Sequence, residues 1–135
     1  VKGKHVQPVD PFGAARAAVK GAEGPSRRVD YLIGLTLGLR LVNPFIKKPR
    51  LVEDVDNEWM VVDGDDWSPL PRYTGFTDVA AATVEAMFPG VRVDILHDGP
   101  GRFRAILSFP DGRRHEGGSR PTRPLAVIGA WLQMV

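Results

Sequence analysis

Residues 91–116 read VRVDILHDGPGRFRAILSFPDGRRHE, and the alternation within this stretch decides the fold class. Val91, Val93 and Ile95 alternate with Arg92 and Asp94, the period-two pattern of a half-buried strand. Asp98-Gly99-Pro100-Gly101 turns the chain into a second run, Arg102–Phe109, where Phe103, Ala105, Leu107 and Phe109 share one face. Asp111-Gly112 is the dipeptide favoured by a tight type I′ turn, so Arg113–Glu116 is expected to return as a third antiparallel strand. Helical signals flank the three strands. Ahead of them, Thr77 is placed to cap a helix with Asp78 at its positive end, and Ala80, Val84, Met87 and Phe88 form an apolar stripe that Pro89-Gly90 ends. Behind them, Thr122 caps a last helix with Pro124 in its first turn, and Leu125, Ile128, Trp131, Leu132 and Val135 form its stripe. The order α-β-β-β-α predicts an α/β (α+β) domain. Helices 77–88 and 122–134 cover an antiparallel sheet of three strands, extendable to four or five, on the face carrying Phe103, Leu107 and Phe109.

Upstream, Asp10-Pro11 is a helix start, and Ala14, Ala15, Ala17, Ala18 and Val19 favour helix as far as Gly21. Gly24-Pro25-Ser26 restarts the chain, after which Val29, Leu32, Ile33 and Leu37 recur at helical spacing. A helical hairpin over 10–42 is expected beside the sheet, with Gly34 and Gly38 weakening its second helix and allowing close packing. From 43 to 71, Pro44, Pro49, Pro69 and Pro71 predict an irregular segment. One short strand survives there, Trp59–Val62 ending at Asp63-Gly64, with Leu51-Val52 as its partner. Residues 1–9 have no periodicity and read as a flexible arm, which leaves a single domain over 10–135.

Composition agrees with one globular domain: 135 residues, 43% apolar and 25% charged. No apolar run approaches the roughly 20 residues a membrane span needs, and no basic-then-apolar leader opens the chain, so a soluble, unexported protein is expected. The absence of cysteine excludes disulfides, thiolate zinc sites, iron–sulfur clusters and cysteine nucleophiles, and fits a reducing compartment. The net charge of +2 conceals a balance of +7 over residues 1–50, −7 over 51–71 and +2 over 72–135. The acidic segment either folds back on the basic one or leaves a locally basic face.

Three strings carry a resemblance. They are Gly24-Pro25-Ser26-Arg27-Arg28-Val29-Asp30, then Arg72-Tyr73-Thr74-Gly75-Phe76-Thr77-Asp78-Val79-Ala80 with a later Phe88-Pro89-Gly90-Val91, and finally Arg123-Pro124-Leu125-Ala126 with Ala130. Over residues 22–135 the chain resembles small uncharacterised phage and prophage proteins of alphaproteobacteria, of the phage sandwich-domain type. Gly75 and Phe76 stand where that type usually has Ser-Leu. The resemblance implies action in the bacterial host cytoplasm or in the virion, and brings no activity or catalytic residue with it.

No motif announces a chemistry. His5, His97 and His115 lack partners at catalytic or metal spacing and read as strand-end or loop residues. Glu53, Asp56, Glu58, Asp63, Asp65 and Asp66 offer oxygen ligands without the spacing of a calcium loop, so they read as a solvated acidic segment. No catalytic residue, metal or cofactor is expected. Gly117-Gly118-Ser119-Arg120, between a strand and a helix start, is a weak anion-site candidate; Gly99-Pro100-Gly101 is a turn. The arginines are the most suggestive set: Arg92, Arg102 and Arg104 on the face opposite Phe103, with Arg113, Arg114, Arg120 and Arg123 close behind. Such a set suits a carboxylate-rich protein partner or phosphates. The α-β-β-β-α order is also that of the double-stranded-RNA-binding domain, though the last helix here starts with one arginine and a proline in place of that fold's lysine cluster. Trp59, Trp67, Tyr73 and Phe76 are expected in the core, and Trp67 or Phe76 would mark a binding surface if exposed. Together these predict a non-enzymatic phage accessory protein that binds a protein, as a virion component or an inhibitor of a host or defence system. The alternative is a nucleic-acid or nucleotide-binding protein using the surface arginines, and neither reading involves a membrane.

Overall fold

Helix α4 (Arg123–Met134) is the element on which the rest is assembled in the computed structural model, which describes residues 10–42 and 59–135. Every residue from Pro124 to Leu132 is buried, so α4 is enclosed all round instead of presenting one apolar stripe. Three elements enclose it: helix α3 (Thr77–Met87), helix α1 (Pro11–Gly21) and the sheet formed by β4 (Arg92–His97), β5 (Phe103–Ser108) and β6 (Arg114–Glu116). Val135, expected in the stripe, is exposed. Thr122 caps the helix as its sequence predicts, its side chain accepting from Leu125 N.

The β4-β5-β6 sheet is antiparallel with β5 in the centre. Val93 faces Leu107, Ile95 faces Ala105 and His97 faces Phe103 across β4 and β5, which puts the apolar positions on the α4 side. The other face carries Arg92, Asp94, Leu96, Arg104, Ile106 and Arg114. Phe109, just past β5, meets Phe88 edge-on at 5.5 Å and ties the end of α3 to the sheet. Beyond β6, an isolated bridge pairs Arg120 with Phe103.

The N-terminal half forms the expected helical hairpin, but a shorter one. Helix α2 (Arg27–Thr36) ends in a Schellman turn, with Gly38 at φ +76° and Leu39 N donating to Gly34 O at 3.0 Å. The chain then leaves as strand β1 (Arg40–Val42), so residues 40–42 are extended and do not belong to the helical hairpin expected over 10–42. Gly34 leaves room for it, since a Cβ there would come within 3.0 Å of Leu41. β1 pairs with β2 (Met60–Asp63), and β2 turns through Gly64 into β3 (Asp66–Pro69).

A second small sheet, β1-β2-β3, therefore stands apart from the first, and the additional strands do not extend the β4-β5-β6 sheet. Both edges of β2 are taken by β1 and β3, whereas Leu51-Val52, the expected partner, lies outside the described residues. Residues 1–9 and most of the segment 43–71 lie outside them as well. Tyr31 on α2 packs against Trp59 at 4.4 Å, and Leu70 N donates to Trp59 O, so the small sheet is fastened to the hairpin.

Candidate protein-binding surface

Two of the three strings noted in the sequence meet in space. Asp30 on α2 is 1% exposed, and its Oδ1 accepts from Thr74 N and Thr74 Oγ1, each at 2.8 Å. Its Oδ2 accepts from Arg27 Nη1 at 2.9 Å. Arg27 also reaches the carbonyls of Leu70 and Pro71, and the Thr74 hydroxyl accepts from the Ser26 amide at 2.8 Å. Burial raises the Asp30 carboxyl above its ordinary value, while Thr74 and Arg27 act against that rise. The neighbouring Tyr73 phenol is pushed up to about 12, mainly by burial and further by the Asp30 charge. Three donors on two oxygens make Asp30 a fastener between α2 and the 70–76 turn, which accounts for Gly-Pro-Ser-Arg-x-x-Asp and Tyr-Thr in structural terms.

Above this knot lies a cleft of ≈ 360 Å³ lined by Pro25, Ser26, Arg27, Asp30, Arg72, Gly75 and Phe76. Pro25 and Ser26 also edge a neighbouring depression between α1 and α2, lined by Ala17, Gly21, Ala22 and Arg28. Phe76 projects at the cleft rim, 57% exposed. It occupies the N-cap position of α3, its carbonyl taking the first helical bond from Ala80 N at 3.1 Å while its side chain caps nothing. Thr77, the expected cap, is already the first helical residue. A large apolar side chain thus stands where Ser, Thr, Asp or Asn would stabilise the helix, and it is in water. Arg28 and Arg72 are exposed on the same surface, and neither has an ion pair among the described residues.

The expectation that all four aromatics of the middle segment are core residues holds for Trp59 and Tyr73 and fails for Phe76 and Trp67. Trp67 is on the edge strand β3, all four residues of which are exposed.

The seven arginines separate into distinct environments. On the outer face of the β4-β5-β6 sheet, Arg92 pairs with Asp94 at 3.0 Å, and Arg104 is held between Asp98 at 3.2 Å and Glu116 at 3.0 Å. Arg113 pairs with Asp111 at 2.6 Å and lies over the Phe109 ring. The charges of these three are spent locally. Arg114 is exposed on β6 without an ion pair among the described residues, and Arg123 lies over the Phe103 ring at 4.5 Å. Arg102 and Arg120 behave differently: both donate to the carbonyl oxygen of Ser119, at 3.0 and 2.8 Å.

His97 packs on Phe103 at the end of β4, while His115 faces Leu107 on β6, about 13 Å along the strand by the usual rise. The two imidazoles do not share a site. Among the described residues no group of three His, Asp or Glu is placed to hold a metal ion. Family models, curated proteins and solved structures offer no match to the chain.

Proposed function

We propose that the protein is a non-enzymatic phage accessory protein that acts by binding a protein partner at the Phe76 surface, as a virion component or as an inhibitor of a host or defence system. The exposed Phe76 carries this reading. It forgoes a helix cap and leaves an aromatic ring in solvent, two local costs that an intermolecular contact offsets. Aromatic and arginine side chains are also the types that dominate binding energy at protein interfaces. Arg72 lines the cleft with the ring and Arg28 lines the depression next to it, so the partner that fits offers an apolar side chain accompanied by carboxylates.

The phage assignment is supported by the resemblance over residues 22–135, which brings with it the host cytoplasm or the virion as the place of action. Among the described residues no helix is long and apolar enough to cross a membrane. The nucleic-acid reading loses support from Arg92, Arg104 and Arg113, whose charges are matched by carboxylates. Affinity purification of tagged wild type, Phe76→Asp and Arg72→Glu from host and phage-infected lysates tests the reading. One stoichiometric protein is expected with wild type and lost from both variants; its equal recovery with all three would place the interface elsewhere.

A further inference from the structure

Arg120 crosses α4 through a channel that glycine keeps open. A Cβ at Gly129 would come within 3.1 Å of Arg120 Nε, and one at Gly118 within 3.2 Å of Nη1. Glycine inside a helix is unfavourable for the backbone, so its presence in the middle of the most buried helix needs a packing reason, and the Arg120 side chain supplies one.

The guanidinium opens into a cleft of ≈ 210 Å³ between α1 and α4. Arg16, Lys20, Arg120 and Gln133 line it with Val19, Gly129, Leu132 and Val135, and no Asp or Glu side chain takes part. Arg16 Nη1 donates to the backbone oxygen of Val135 at 2.7 Å and to that of Leu132 at 3.4 Å, which holds this cation against the end of α4. Gln133 Oε1 accepts from Gly118 N at 3.1 Å, leaving its amide NH2 as a donor. Arg120 Nη1 is on Ser119 O, whereas its Nε is buried without a partner. Arg102 donates to that same carbonyl, so two guanidinium groups converge on one neutral oxygen. Burial, and then the Arg102 charge, lower the Arg120 guanidinium from its ordinary value, the direction expected of a cation lacking an anion.

We propose that this cleft is an anion site for the phosphoryl group of a small molecule. Donors approach from three elements: Arg16 and Lys20 from α1, Gln133 from α4, and Arg120 from the loop before α4. That arrangement matches a tetrahedral dianion better than a planar carboxylate. The cleft volume of ≈ 210 Å³ accommodates phosphate or diphosphate. This site is independent of the Phe76 surface.

Isothermal titration calorimetry of the full chain at low ionic strength, with inorganic phosphate, diphosphate and ribose 5-phosphate as separate probes, tests it. Saturable one-to-one binding of at least one probe is expected, weakened tenfold or more in Lys20→Met and in Arg120→Met and unchanged in Arg92→Ala. The best-bound probe tells free phosphate from a phosphate ester. Lys20 is exposed, so its variant keeps the test valid if Arg120→Met does not fold. Absence of saturable binding in wild type, unaltered binding in Lys20→Met, or an equal loss in Arg92→Ala would overturn the proposal.

Discussion

Asp30 and Thr74, 44 residues apart in sequence, share two hydrogen bonds of 2.8 Å on a single carboxylate oxygen, one from the Thr74 amide and one from its hydroxyl. The pair closes the α2 helix onto the turn that leads to Phe76. Thr74→Val keeps the shape and the amide bond but leaves the Ser26 amide without its acceptor. It is expected to cost about 1–3 kcal/mol in urea denaturation, with Thr74→Ser restoring most of it. Asp30→Ala, which also leaves Arg27 without its carboxylate, is expected to cost about 3–5 kcal/mol.

The same carboxylate makes a signed pH prediction. Because burial raises Asp30 above 3.8, the native state holds its proton more tightly than the unfolded chain does. Its contribution to stability is present below 3.8 and falls as pH rises through the window up to the raised native value. Asp98 and Asp111 act in the opposite sense, lowered chiefly by hydrogen bonds from Ser119 and from the Arg113 amide, so their contribution is lost as pH falls. Subtracting the stability of Asp30→Asn from that of wild type removes these common terms. The difference is expected to shrink between acid and neutral pH; a difference that grows with pH would mean that the native carboxyl is held low.

Gly117, just past β6, lies against α4, where an added Cβ would sit 2.7 Å from Ala130 Cβ and 2.9 Å from its Cα. Neither contact lies at the end of a flexible chain. Gly117→Ala is therefore expected to destabilise by about 1–3 kcal/mol, read from the thermal or urea midpoint. Gly129→Ala meets the guanidinium end of Arg120 instead, and is expected to change stability less while weakening phosphate binding.

Phe76→Asp places a capping carboxylate at the positive end of α3 and removes an exposed ring. It is expected to raise stability by about 1 kcal/mol, a gain visible as a higher urea midpoint at unchanged slope. An unchanged or lowered midpoint would mean that the Phe76 ring already stabilises the isolated domain.

The half of the chain with clean periodicity was legible from sequence. Strands 92–97 and 103–108, the turn at 98–101 and the cap at Thr122 follow local rules that tertiary packing leaves alone, whereas the turn at 111–112 is not the expected type I′: only Gly112 has positive φ, and its amide donates to Phe109 O at 3.0 Å. Strand 40–42 was not, because Arg40-Leu41-Val42 is too short to show a period, and β3 was hidden by Pro69 at the edge of its sheet. The arginines show the same limit from the other side. Alternation places Arg92 and Arg104 on one face, but only the register brings Asp98 and Glu116 to Arg104 and leaves Arg102 and Arg120 around a carbonyl. Arg16 and Lys20 carried no sequence signal beyond their charge, since their meeting with Arg120 depends on how α1 packs against α4. Phe76 could have been noticed as an apolar residue at a helix start, had Thr77 not offered a more conventional cap one residue later.

The most direct test of the Phe76 surface compares, at equal protein concentration, the amount of partner protein that co-purifies with wild type and with folded Phe76→Asp. Loss of the partner from a variant at least as stable as wild type is the predicted result. Full retention of the partner by that variant would contradict the assignment of this surface as the binding site.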